Sequence, residues 1–543
     1  MPSRNYTRLG RTISINKINT WQDIIARVTV ILMLCVQPLY FKFKYGFDAH
    51  GNVFAPYIGL TGHKYNFFLL CMSIVTGVTV LVLIAKLIGG FKLFEIKKIS
   101  LPVWAALGFA LVTLISALFS PYRGITSVWH GVAERHDGAI TQLFYVVIFL
   151  IVAHWYKPRE LDFVIFGISA SCVGLIGVLQ FYGFDFFRLW PNIPGSPYYV
   201  ENYYHIYFRS TLGNINIVST YVCVAILFCG FLFIRTESKW RYLWLAGSAL
   251  NFWLMFLAGS DSGMVGTLAV MIFAVPFIIE SRKYINRFLL LASSWAGVYT
   301  LQRLFFNFFI QKNESSGRIG LYATMTVLLL AGGLTLTLFF KKKTSEAVPV
   351  KLSNRLIGVT LTAVIIFGGI AGVEVLGRQT EENLAWRPVY EAREMLHGRV
   401  EDNFGSTRIY IWRNALEAFP VNPVSAVIGT GPDTFWEAFP NQEEALTVYG
   451  VIYDKAHNEY LHILVCQGIL GLLCYLVLLG WVFIKVIPKT FKEPLLMAVL
   501  AAFTGYCVQA FFNINLPITS QMLWVMAGVM VCFVRNMQEE SSR

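Results

Sequence analysis

Charge is scarce in this chain. Of its 543 residues only 14% are Asp, Glu, Lys or Arg, against 56% apolar and 15% aromatic. That balance excludes a soluble protein of this size, whose surface needs about a quarter of its residues charged. The nine cysteines (Cys35, Cys71, Cys172, Cys223, Cys229, Cys466, Cys474, Cys507 and Cys532) contain no CxxC pair and no metal-ligand spacing. All lie in apolar runs as small hydrophobes, so neither a zinc module nor a disulfide framework is expected. There is no Walker loop, no GxSxG elbow and no DxD motif, which leaves nucleotide-driven chemistry without support. The first 23 residues carry Arg4, Arg8, Arg11 and Lys17 but no small-residue cleavage site. They read as a retained cytoplasmic tail ahead of an anchoring span.

Apolar runs of spanning length are abundant. They recur at roughly 24–42, 65–85, 101–119, 139–154, 162–181, 215–234, 242–258, 263–279, 288–304, 320–340, 356–374, 459–484, 493–511 and 517–534, each able to cross about 30 Å of hydrocarbon as a helix. The expected fold is therefore an all-α polytopic membrane protein with about 14 transmembrane helices. Connections on the N-terminal side, with both tails, hold about 26 Lys and Arg; the opposite short loops hold about nine. By the positive-inside rule both termini are cytoplasmic. The net charge of +13 then faces anionic headgroups, and no nucleic-acid partner is expected.

The predicted organisation is a tail at 1–23, membrane helices 1–11 over 24–374, an extracytoplasmic loop domain at 375–456 between helices 11 and 12, helices 12–14 over 457–534, and a tail at 535–543. Within the loop domain, Ile409, Trp412, Leu416 and Phe419 repeat at helical spacing behind Ser406. This predicts an N-capped amphipathic helix over 407–419, lying on the membrane domain.

Three groups of residues could carry chemistry. His457, with Asn458, sits in DKAHNEYLHIL (454–464), where Asp454 is expected to cap a helix whose N-terminus faces outside. A neutral imidazole there either anchors a helix end at the interface or acts as a base toward a hydroxyl. His462, five residues on, is not at metal-pair spacing. The second group is Arg135, Arg209 and Arg408, on the face that the positive-inside rule depletes. Their guanidinium forks suit phosphate or pyrophosphate, or else pair with neighbours such as Glu134, Asp137 and Glu201. The third is a set of turns and small residues: GTG at 429–431 reads as a turn, Gly468 and Gly471 as sites of close helix packing, and Asp261 as a cap or functional carboxylate at a tight turn.

Taken in chain order, SPYRGITSVWHGVAERHDG, GLIGVLQFYGFD, RSTLGNINIVSTY, LAGSDSG, STRIYIWRNALEAF, GTGPDTF and AHNEYLHILVCQGILG resemble the O-antigen ligase and polymerase superfamily of bacterial glycosyltransferases. Ser260-Asp261-Ser262 stands where the family usually has Ser-Arg-Gly, and Asn214-Ile215-Asn216 where it has Asn-Pro-Asn. The resemblance implies transfer of an undecaprenyl-pyrophosphate-linked glycan to a glycan, lipid or protein hydroxyl at the outer face of the cytoplasmic membrane, without metal or cofactor. It makes His457 the catalytic base and Arg209 and Arg408 the pyrophosphate ligands. Arg135, Asn216, Trp412 and Asn458 complete the expected substrate-binding set. From another class, a flippase of lipid-linked oligosaccharide would also need many spans and basic cavities, but not a loop domain of this size.

Overall fold

A computed structural model describes residues 14–41, 60–93, 100–187, 189, 210–309, 352–378, 387–420 and 422–541, with the backbone of 46–47 and 53–54. Arg209, Glu201 and the run expected at 320–340 lie outside the described residues. Everything described is helix, turn or loop except one short antiparallel pair, Gly46–Phe47 with Val53–Phe54. Among the described residues eight helices are long and apolar enough to cross a membrane: Ile15–Leu39, Leu60–Ile88, Leu101–Phe119, Glu160–Phe181, Ile215–Arg235, Ile357–Gly377, Glu459–Lys489 and Ser520–Glu540. Ala139–Trp155, Asp261–Phe273 and Pro494–Gln509 are shorter apolar helices at three further expected positions. Arg241–Ala258 and Arg282–Phe309 are helical at two more.

Burial follows side-chain character. The Ile215–Arg235 helix is apolar all round and its span is wholly enclosed, as a helix at the centre of a bundle must be. Leu60–Ile88 buries only a minority of its span and exposes Leu70, Leu81 and Ile88, which fits a lipid-facing position. The interior is packed with aromatics: Trp524 meets Phe109, Tyr145, Phe149 and Tyr475. A charged group sealed between helices can still be satisfied by backbone. Lys64, fully buried, donates to the carbonyls of Gln37, Pro38 and Tyr40 at 2.7, 3.0 and 2.7 Å, satisfying an ammonium that would otherwise be very costly there. All nine cysteines are free.

The chain between the Leu352–Gly377 and Glu459–Val486 helices folds at one end of the bundle, around Tyr410, Ile411, Ala415, Phe435, Phe439 and Tyr453. Two local expectations are corrected here. Gly405, Ser406 and Thr407 all adopt left-handed backbone, so Ser406 is part of a tight turn rather than an extended N-cap. The helix that follows buries Tyr410, Ile411, Asn414, Ala415 and Ala418 and leaves Leu416 exposed. The face with the small residues docks, because Ala415 and Ala418 let backbones approach where Leu416 could not.

Candidate functional site

Five segments distant in sequence meet at that end of the bundle: the 120–138 loop, the 405–412 turn and helix start, the 429–435 turn, the 453–460 approach to the Glu459–Val486 helix, and the 510–519 loop. Asn458 caps that helix, its Oδ1 accepting from the Leu461 amide at 3.1 Å. Asp454, expected to do so, instead grips Arg135: Nε reaches Oδ2 at 2.8 Å and Nη2 reaches Oδ1 at 3.4 Å. The cap has to lie immediately before the first helical residue to reach its free amides, and Asp454 is too far upstream.

Asn458 and the Arg135–Asp454 fork together hold the two flanks of His457. His457 itself has a left-handed backbone, φ 47°, which is costly for a side chain of this size and is sustained only by its surroundings. Its ring makes no hydrogen bond to the described residues. Burial pushes its pKa down to about 4, with Arg408 and Arg135 adding repulsion and Asp454 opposing it. A neutral imidazole with free ring nitrogens is what a base toward a hydroxyl requires.

Arg408 is the second arm of the site. Its Nε donates to the Phe512 carbonyl at 3.0 Å and Nη1 to the Gly405 carbonyl at 2.6 Å, so the fork is aimed while Nη2 keeps no partner among the described residues. Burial lowers its pKa and Asp261 counters that, yet a guanidinium stays cationic. One turn further, Trp412 packs on Phe512 with ring centroids 6.1 Å apart, and its buried indole N–H has no partner among the described residues. Arg408 and Trp412, at i and i+4 on one helix face, thus leave a charged and a neutral donor uncommitted.

Beneath His457 lies a buried ionic lattice. Lys455 Nζ sits 2.5 Å from Asp433 Oδ1 and 3.6 Å from Asp137 Oδ2, with all three side chains at 1% exposure or less. Asp433 Oδ2 accepts the Val132 amide at 2.8 Å, while Asp137 accepts the Tyr145 hydroxyl at 3.1 Å and the Asn515 amide. Burial alone would lower the Lys455 pKa, but the two carboxylates more than reverse it. Burial raises both aspartates. One cation between two buried carboxylates clamps the 120–138 loop, the 429–435 turn and the 453–460 segment into one body.

The GTG turn has a larger role than sequence suggests. Gly468 has φ +70° and breaks the Glu459–Val486 helix; a Cβ there would lie 2.5 Å from the Val427 carbonyl. The amides of Thr430 and Gly431 donate, both at 3.0 Å, to the carbonyls of Val465 and Cys466 that the break leaves open. Gly468 therefore serves loop insertion rather than helix packing. Gly471 does face another helix, near Val112.

Of the expected residues, His457, Arg408, Arg135, Trp412 and Asn458 are brought to this one end. Arg135 is already committed to Asp454, rather than to Glu134 or Asp137. Asn216 stands at the start of the Ile215–Arg235 helix; its Oδ1 accepts from Ser260 at 3.0 Å and its carbonyl accepts from Asn513 at 2.7 Å. That links it to the Asp261 turn and the 510–519 loop. Lys455, Asp433, Asn513 and Asn515 escaped the sequence reading. A lysine and an aspartate in DKAHNEY and GTGPDTF were the available signal. Among the described residues no cluster of His, Cys, Asp or Glu could hold a metal ion.

Comparison with curated proteins returns no match. Residues 315–476 match the family model for O-antigen ligase, and that segment contains Arg408, Trp412, the 429–433 turn, Lys455, His457 and Asn458. The match supports a glycosyltransferase-like role in lipid-linked glycan transfer, and the apolar helices support a membrane protein. The segment that presents Arg408 and His457 is matched as an O-antigen ligase domain, which supports membership of the chain in the O-antigen ligase superfamily.

Proposed function

We propose that the protein transfers or polymerises an undecaprenyl-pyrophosphate-linked oligosaccharide onto an acceptor hydroxyl at the outer face of the bacterial cytoplasmic membrane. The full reading includes about fourteen spans, cytoplasmic termini and metal-independent chemistry. The observation that carries it is the pairing of a neutral, unbonded His457 with a cation, Arg408, that still has a free donor. His457 takes the acceptor proton as the hydroxyl oxygen bonds to the anomeric carbon. The anomeric carbon–oxygen bond to the pyrophosphate breaks, and Arg408 with the Trp412 N–H stabilises the charge on the departing lipid pyrophosphate. Arg209, which lies outside the described residues, supplies a second guanidinium in this reading. Arg135 acts through Asp454, by holding the backbone that presents His457.

The test is transfer by the purified chain in nanodiscs with a lipid-pyrophosphate-linked oligosaccharide. Product is expected from the unmodified protein, with or without chelator, and not from His457→Ala. Translocation of intact lipid with no new glycosidic bond, unaffected by His457→Ala, would instead make the chain a flippase.

A further inference from the structure

A groove of about 710 Å3 lies beside this site, between the start of the Leu60–Ile88 helix, the 126–136 loop and Trp436–Glu437. Tyr65, Asn66, His130, His136, Trp436 and Glu437 give it its chemistry. Tyr65 stacks on His136 with ring centroids 4.3 Å apart and planes 4° apart, and its hydroxyl meets His130 Nδ1 at 3.2 Å. Trp436 is 44% exposed. Glu437 Oε1 accepts from the Ser127 hydroxyl at 3.3 Å, and its other oxygen has no hydrogen-bond partner among the described residues.

The groove and the Arg408–His457 site are two sides of one loop. Glu134 and His136 both have left-handed backbone, φ 65° and 57°. Gly131 and Gly138 let the loop cross itself so tightly that a Cβ on either would strike backbone within 2.7 Å. This strained crossing turns consecutive side chains apart: Arg135 to Asp454 beside His457, and His136 into the groove. Among the described residues no Lys or Arg lines the groove, and burial pushes His136 down to about 4, with His130 and Lys455 adding to it. A pyrophosphate would find no cation there. An exposed indole, an acceptor carboxylate and the neutral His136 imidazole instead match the faces and hydroxyl edges of sugar rings.

Resting on the transfer reading above, we propose that this groove binds the acceptor as a short uncharged oligosaccharide, stacked on Trp436 and hydrogen-bonded to Glu437 and His130, with its terminal hydroxyl delivered across the 131–137 loop to His457. The donor pyrophosphate remains on the Arg408 side. The wall at Leu69, next to the exposed Leu70, lets a lipid-anchored acceptor keep its anchor in the bilayer.

The probe is free oligosaccharide released from the surface polysaccharide of the strain that carries the chain, titrated calorimetrically into full-length protein in nanodiscs. Trp436→Ala should weaken binding at least about tenfold. Ala133→Trp, a substitution at an exposed wall residue that fills the groove, should do the same without removing a contact of the fold. Arg408→Ala should bind the glycan as the unmodified protein does. Unchanged binding in both groove variants, no binding to the unmodified protein, or displacement of the probe by undecaprenyl phosphate alone would overturn the proposal. The transfer assay separates the two readings: transfer with groove-insensitive glycan binding refutes the groove only, whereas groove-dependent binding without transfer refutes the catalytic reading only.

Discussion

Lys455→Met removes the cation from between two carboxylates that cannot reach water. With an effective dielectric near 20, an ammonium attracts a carboxylate by about 7 kcal/mol at 2.5 Å and about 5 kcal/mol at 3.6 Å, the separations from Asp433 and Asp137. Dehydrating three charges cancels most of that, so the intact lattice adds little net stability. Breaking it is different, because methionine fills the space but leaves buried charge unpaired. The expected loss is about 3–5 kcal/mol, read as a lower midpoint in thermal melts of the purified protein in detergent. The loss should also depend on pH in a defined sense. Without Lys455 both aspartates move further above the ordinary carboxylate range, so the folded state binds more protons than the unfolded chain. Stability is then present at low pH and lost as pH rises through the raised values, and the variant should suffer more at pH 8 than at pH 5. Adding Asp433→Asn should recover part of the loss, with a coupling of at least about 1 kcal/mol. A loss below about 1 kcal/mol that is flat from pH 5 to 8 would refute the ionic clamp.

Arg408→Ala should reduce transfer at least about a hundredfold while folding is preserved, and Arg408→Lys should recover little, since an ammonium cannot reproduce the fork held by Phe512 and Gly405. Normal surface polymer in a deletion strain complemented with Arg408→Ala would remove it from the site. A base with a pKa near 4 is neutral throughout pH 5.5–8, so the transfer rate should be flat there on its acid limb and fall only as pH drops toward 4; a midpoint near 6.5 would place His457 in a wet, unperturbed setting. Gly468→Ala should destabilise by about 2 kcal/mol or more and loosen the 429–431 turn, because it combines a left-handed backbone with a methyl driven into the Val427 carbonyl; proteolysis near that turn reports it.

Sequence carried the repeated apolar runs, the free cysteines and the position of His457 and Arg408, because hydropathy period and residue type are local properties. It did not carry partnerships. Arg135 could be seen to need a carboxylate, but Asp454 lies 319 residues away, and nearer acids were the better candidates until the fold brought that one closer. The same holds for Lys455: it reads as one more charge in the polar stretch before a span, and Asp137 and Asp433 come from other loops. The break at Gly468 was hidden because Val465, Cys466 and Ile469 look like uninterrupted helix, and only the inserted 429–431 turn explains why a glycine is required. Arg209 rests on motif alone.

The ties made by the 510–519 loop have a consequence for biogenesis. Asn513 binds the start of the Ile215–Arg235 helix and Asn515 binds Asp137, 378 residues earlier. A chain emerging from the ribosome therefore lacks these braces until synthesis has passed the 510–519 loop. Contacts between such remote segments form late, so a partly inserted chain has the residues of the site but not their arrangement. Copies truncated before the 510–519 loop would then sit inert, and competence would arrive only with that loop.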